Sequence, residues 1–184
     1  MRDIKKFLVC GGGMMGSAIA QILAGLEGVE VTVYDVFPVD IEAKVRNNMK
    51  LLVEKEIVTP EEGDAIVGKI TFTQTLDCAG VREAQMVVEC VLEDMKMKQD
   101  LFAQLEEYVA DDCIFCTNTS VMSPTEISAK CAHRERLCLD NRQWELWKSH
   151  WRIDANLIMC LCCVYKQRSK LRRKQFKIFK NLII

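Results

Sequence analysis

Cys10-Gly11-Gly12-Gly13-Met14-Met15-Gly16 decides how the rest of this chain is read. Residues 4–10 form a short apolar run that stops at glycine, as a buried strand does. Residues 14–26 follow with Met15, Ile19, Ile22, Leu23 and Leu26 on helical spacing. The glycines therefore fall in a G-x-G-x-x-G pattern between a strand and a helix. Each has a physical task. Gly11 permits a tight turn, Gly13 lets the backbone approach a diphosphate, and Gly16 lets the helix pack closely on the strand. The amides and dipole at the helix start then face the phosphates. Residues 29–34 read as a second strand, and Asp35 closes it, 19 residues after Gly16. A carboxylate there accepts hydrogen bonds from adenosine ribose hydroxyls. It also repels a 2′-phosphate, and Val36 and Phe37 bring no Arg to offset this, so NAD is preferred over NADP. The plainer alternative is a strand-turn-helix whose glycine loop is structural.

Working outward, strands and helices alternate. Residues 41–57 form a helix with Ile41, Val45, Met49 and Leu52 on one face. Thr59-Pro60-Glu61-Glu62 reads as a capping box with proline at the first helical position. Residues 69–73 and 85–91 read as strands. Met97, Leu101, Leu105 and Tyr108 mark the apolar stripe of another helix, and residues 113–117 a further strand. Ser123-Pro124-Thr125-Glu126 predicts a second capping box. Alternation of this kind builds parallel βαβ units, and nearly continuous apolar strands are those covered on both faces. Residues 1–137 are thus expected to form most of a doubly wound α/β domain.

The 184 residues carry a net charge of −1, which hides an imbalance. Residues 1–137 hold 14 Lys+Arg against 23 Asp+Glu; residues 138–184 hold 11 against 3. The later segment also has all three tryptophans, four of the ten cysteines, and neither Gly nor Pro. Such a shift marks a boundary. No apolar run reaches the ~20 residues of a membrane span, and the charged start lacks the pattern of a secretory signal. The cysteine spacing fits neither a disulfide framework nor a zinc site, so reduced thiols in the cytoplasm and no metal are expected.

Two further stretches, Glu89-Cys90-Val91-Leu92-Glu93-Asp94-Met95-Lys96-Met97-Lys98 and Asn118-Thr119-Ser120, resemble the nucleotide-binding domain of L-3-hydroxyacyl-CoA dehydrogenases. That family has an E-x-V-x-E segment with a lysine five residues on, and a later strand ending in N-T-S. The resemblance covers residues 4–137. A lens-crystallin-like branch of 3-hydroxyacid dehydrogenases is similar through the same E-C-V-x-E-D stretch. The resemblance implies an incomplete doubly wound Rossmann-type parallel sheet with a non-homologous C-terminal tail. It also implies oxidation of an L-3-hydroxyacyl-CoA to the 3-oxo compound, with hydride passing to NAD, or the reverse.

Carried over by position, Gly11, Gly13, Met15, Gly16 and Asp35 would hold the adenosine-diphosphate half of NAD. Glu93 and Lys98 would lie near the cofactor, and Ser120 would be the catalytic residue beside the nicotinamide and the reacting oxygen. Asn48 and Lys55, on the helix bearing Lys44, Arg46 and Lys50, would help hold coenzyme A. A solvated charged face is the alternative for that helix.

The resemblance breaks near residue 137. Taking hydride from an alcohol needs a base for its proton, and His is the usual choice. The family has a histidine 21 residues after the serine of N-T-S, within G-x-H-F-x-N-P; here that position is Asn141, and H-F-x-N-P is absent from the chain. His133 lies in a polar stretch, and His150 lies between Trp147 and Trp151 without matching context. The family's second, helical domain, with its cleft wall and dimer interface, has no counterpart in residues 138–184. Their character suggests a truncated or out-of-frame product with little turnover. Rival readings are a tryptophan stripe on one helix, a basic segment at 171–184 that docks on an anionic membrane or nucleic acid, and a non-catalytic dinucleotide-binding protein.

Overall fold

The structure is a computed structural model, and it describes residues 4–119 and 121–137. Five parallel strands form one sheet in the order β3-β2-β1-β4-β5. They are β1 (Lys6–Cys10), β2 (Glu30–Tyr34), β3 (Ile70–Thr73), β4 (Met86–Glu89) and β5 (Ile114–Thr117). The helices between them are α1 (Met14–Ala24), α2 (Ile41–Glu54), α3 (Pro60–Val67), α4 (Ala79–Arg82), α5 (Met95–Leu105) and α6 (Pro124–Ile127). Two short 3₁₀ turns, Ser128–Lys130 and Arg134–Arg136, follow α6.

Side chains alternate across the sheet, as the two-residue period of a strand requires. Phe7, Val9, Val31, Val33, Met86, Val88 and Cys116 pack against α1, α2 and α3. Leu8, Cys10, Val87 and Phe115 pack on the other face against α4, α5 and α6. Phe102 and Phe115 meet there with ring centroids 5.2 Å apart. Both faces of β1 and β4 are covered, which explains their unbroken apolar sequences. The stripe Ile41, Val45, Met49 and Leu52 is buried as its spacing demands.

Local signals explain most boundaries. Asp40 caps α2 through Ala43 N–H, and Thr59 with Glu62 forms the expected reciprocal capping box on α3. The second expected box does not form. Ser123 makes no side-chain cap; its carbonyl accepts from Glu126 N–H, because α6 is a single turn. The four-residue α4 is too short to have announced itself by periodicity.

Register positions the site. Thr73, Tyr34, Cys10, Glu89 and Thr117 pair across the five strands as one row. The residues just beyond that row therefore share one rim, at the carboxyl ends of the strands. Next to β5, Leu137 forms one parallel bridge with Phe115, at the sheet edge opposite β3. The basic segment 138–184, with His150 and Asn141, lies outside the described residues.

Candidate functional site

The glycine loop joins β1 to α1 at the centre of the rim. Gly11 has φ +106°, and a Cβ there would lie 2.6 Å from the carbonyl oxygen of Cys90. A Cβ on Gly16 would lie 1.7 Å from the carbonyl oxygen of Gly11. The turn is thus pressed against β4 on one side and against α1 on the other. Gly13 differs: a Cβ there would meet nothing within 4 Å. Gly13 is exposed, and it starts α1 without a side-chain cap and without an acid in the first turn. The other long helices, α2, α3 and α5, are all capped by side chains. An anion approaching Gly13 therefore meets open space, backbone and the positive end of a helix dipole. Met15, one residue into the helix, is half-buried beside this opening.

Asp35 stands across the opening, just past β2. Its Oδ2 accepts from Gly12 N–H at 2.7 Å, and its Oδ1 from Phe37 N–H at 3.0 Å. Each oxygen keeps lone-pair capacity after these bonds. These two bonds orient the carboxylate. A cleft of about 470 Å³ runs from Gly11 past Asp35 to α5, walled by Tyr34, Val36, Val91, Met97 and Leu101 among others. Tyr34 has its hydroxyl pKa raised, first by burial and then by the charges of Cys10 and Asp35. Burial likewise raises the Cys10 thiol well above its ordinary range. Met14 at the start of α1 and Val36, Phe37 and Leu92 on the loops are exposed around this rim. The rim thus combines an open stretch of backbone at a helix start, an oriented carboxylate and a cleft with apolar walls.

On the other side of β1, the ends of β4 and β5 hold a buried polar cluster. Glu89 is fully buried and Lys98 is 1% exposed. Glu89 Oε1 accepts from Lys98 Nζ at 2.7 Å and from Val91 N–H at 2.7 Å. Glu89 Oε2 accepts from Thr117 Oγ1 at 2.6 Å. Lys98 Nζ also lies 3.1 Å from Glu93 Oε2, whose side chain is 47% exposed. Glu93 and Lys98 are thus brought together, with Glu93 at the surface and Lys98 inside. Helical spacing alone places Met97 inward; instead Met97 lines the cleft and Lys98 is buried, because Glu89 matches its charge. Glu89 and Thr117 were missed as site residues. Their signal is a lone acid and a lone threonine, each ending an apolar strand.

Ser120 lies outside the described residues, although Asn118 and Thr119 before it are described. Asn118 N–H donates to Glu89 O, and Thr119 Oγ1 accepts from Met122 N–H, so the chain turns just past β5. Asn48 is half-buried and Lys55 exposed, both on or at the end of α2, two turns apart and away from the cleft lining. One turn earlier on α2, Lys44 Nζ donates to Gly12 O at 2.8 Å, which ties that helix to the glycine loop. Among the described residues, no group of three or more His, Cys, Asp or Glu could hold a metal ion. Among them too, no helix is long and apolar enough to cross a membrane.

Comparison with known proteins gives the family of this domain. Residues 6–140 match the family model described as 3-hydroxyacyl-CoA dehydrogenase, NAD binding domain. The chain is 35% identical over 138 residues to a probable 3-hydroxybutyryl-CoA dehydrogenase of Bacillus subtilis, covering 73% of this chain and 47% of that protein. It is 32% identical over 139 residues to the peroxisomal fatty acid beta-oxidation multifunctional protein MFP2 of Arabidopsis thaliana, covering 74% and 19%. A solved structure, 3-hydroxybutyryl-CoA dehydrogenase from Escherichia coli, superposes with a TM-score of 0.67 at 27% identity, over 74% of this chain and 29% of that one. The chain thus spans less than half the length of each of these three proteins.

Proposed function

The chain belongs to the 3-hydroxyacyl-CoA dehydrogenase family through its NAD-binding domain, and from that premise we propose what each part of the crevice does. Gly11, Gly13 and Gly16, with the start of α1, hold the diphosphate of NAD. Asp35 accepts hydrogen bonds from the adenosine ribose, Met15 contacts the adenosine half, and the apolar slot takes the adenine. The nicotinamide half lies on the β4–β5 side, near Glu93, Lys98 and Ser120. The observation that carries this reading is the Asp35 carboxylate, bonded to Gly12 N–H across an opening that Gly13 leaves clear. The dinucleotide domain occupies residues 1–137, and 138–184 is a separate basic segment.

The substrate class is an L-3-hydroxyacyl-CoA, with Asn48 and Lys55 on the coenzyme A side. When bound, NAD supplies the hydride acceptor for the substrate's C3. Ser120 orients the reacting oxygen. The hydroxyl proton must go to a base, and Asn141 occupies the position where the family resemblance puts histidine. An amide side chain takes no proton near pH 7, so the chain binds NAD and turns over little. A second reading, a non-catalytic dinucleotide-binding protein that docks through its basic segment, is favoured by the same Asn141 and by the excess of Lys and Arg in 138–184. A reducing compartment such as the cytoplasm suits the six free cysteines among the described residues.

Two measurements test the proposal together: NADH binding followed by fluorescence, and acetoacetyl-CoA-dependent loss of NADH absorbance. Binding with negligible oxidation is expected. No binding overturns the dinucleotide assignment, and brisk oxidation overturns the assigned lack of a base. Binding of anionic vesicles or nucleic acid by the full chain, lost when the Lys and Arg of 171–184 are neutralised, favours the docking reading.

A further inference from the structure

We propose that Glu89 is a positioning residue: through Lys98 it fixes the carboxylate of Glu93 at the nicotinamide end of the crevice. This rests on the dinucleotide reading above and assigns a division of labour within it.

Lys98 directs its ammonium into the cluster. It is 1% exposed, and Glu89, Glu93 and the carbonyl of Val91 at 3.5 Å surround its Nζ. Three neighbours account for its three donors. Glu93 is the half-exposed member of the cluster, and it directly precedes Asp94, which lines the cleft. Glu89 is tied to three separate pieces of chain: Val91 beyond its own strand, Lys98 in α5, and Thr117 at the end of β5. A buried acid with three good hydrogen bonds is rigid, and its rigidity passes to whatever its partners hold. Topology sets the direction. Asp35 lies on the β2 side of the glycine loop, and Glu89 with Thr117 on the β4–β5 side. A dinucleotide that puts its ribose on Asp35 and its diphosphate on the loop sends its second half toward Glu93.

The cluster holds two carboxylates and one ammonium, so its surface member favours a positively charged ring over a neutral one. Oxidised nicotinamide is positive and reduced nicotinamide is neutral. The relay therefore biases binding toward the oxidised coenzyme and leaves the ADP-ribose half untouched.

The test titrates the full chain with ADP-ribose, NAD⁺ and NADH by calorimetry, with circular dichroism and thermal unfolding alongside. Glu93→Gln should weaken NAD⁺ about fivefold, weaken NADH less, and leave ADP-ribose within about twofold. Glu89→Gln should reproduce that pattern, and the double variant should add little to either single one, as for residues that act in series. Thr117→Val removes one bond to Glu89 and should give the same pattern, smaller; it decides the matter if Glu89→Gln does not fold. A fall in thermal stability with the NAD⁺ to NADH ratio unmoved overturns the relay, as does equal loss of all three ligands. Failure of the wild-type chain to bind ADP-ribose overturns the dinucleotide reading itself, and the relay with it.

Discussion

Replacing Gly13 with alanine separates folding from binding. Gly13 has φ −68° and ψ −164°, an extended conformation open to any residue, and its added Cβ meets nothing within 4 Å. The cost to the fold is that of alanine at a helix N-cap in place of glycine, under about 1 kcal/mol. The methyl would instead occupy the space through which a diphosphate reaches the backbone. Displacing a phosphate from even one amide forfeits a hydrogen bond to a charged group, about 1.5–3 kcal/mol, or roughly 10- to 100-fold in affinity. Gly16→Ala is the contrasting control. Its Cβ would stand 1.7 Å from Gly11 O and 2.9 Å from Gly11 C, so backbone must move by more than about an ångström. That overpacking should cost about 1–3 kcal/mol of stability as well as affinity. Thermal unfolding and NADH titration of both variants make the comparison. A Gly13→Ala protein that folds normally and binds NADH as wild type would refute the proposed approach of the diphosphate.

Asp35→Asn keeps an oxygen for Gly12 N–H but removes the charge that repels a 2′-phosphate, so the preference for NAD over NADP should shrink about tenfold in paired titrations. A preference unchanged in the folded variant counts against the ribose assignment. Thr59→Ala deletes the acceptor of Glu62 N–H and should lower stability by about 1 kcal/mol, seen as a midpoint shift in urea without change in NADH affinity. Burial, and next the nearby Glu106, push the Cys131 thiol up to about 11. Its thiolate is therefore scarce at neutral pH, and iodoacetamide labelling of its peptide should be slow at pH 7.5 and climb toward pH 11. Rapid labelling at pH 7.5 sinks that expectation.

What the sequence made legible follows a pattern. Gly11 and Gly16 could be read because only glycine tolerates φ +106° at one position and a 1.7 Å approach at the other. The stripe of α2 could be read because four apolar residues at helical spacing all reach one core. Lys98 could not, because periodicity treats lysine as an outward residue. Its burial depends on Glu89, nine positions away, and on Thr117, twenty-eight from that acid. The same holds for Lys44, whose contact with Gly12 O spans thirty-two positions. Local rules see the pieces that a strand or a turn demands by itself. They are blind to charges that become affordable only when the sheet brings partners together.

That contrast bears on how binding and turnover divide in this chain. Gly11 and Asp35, assigned to hold the dinucleotide, follow directly on one row of paired residues that runs from Tyr34 through Cys10 to Glu89 and Thr117. Each rung extends one hydrogen bond past the row: Gly11 N–H to Tyr34 O, Cys90 N–H to Cys10 O, and Asn118 N–H to Glu89 O. The glycine loop and Asp35 are therefore held by bonds among described residues, Gly11 N–H to Tyr34 O and Gly12 N–H to Asp35 Oδ2, and Glu93 pairs with Lys98 of α5. A cradle built in this way is expected to retain its ligand whether or not a base stands at the next position in the reaction. Restoring a base by Asn141→His alone should accordingly leave NADH affinity within about twofold, and a large change in affinity would show that the segment after Leu137 reaches into the crevice.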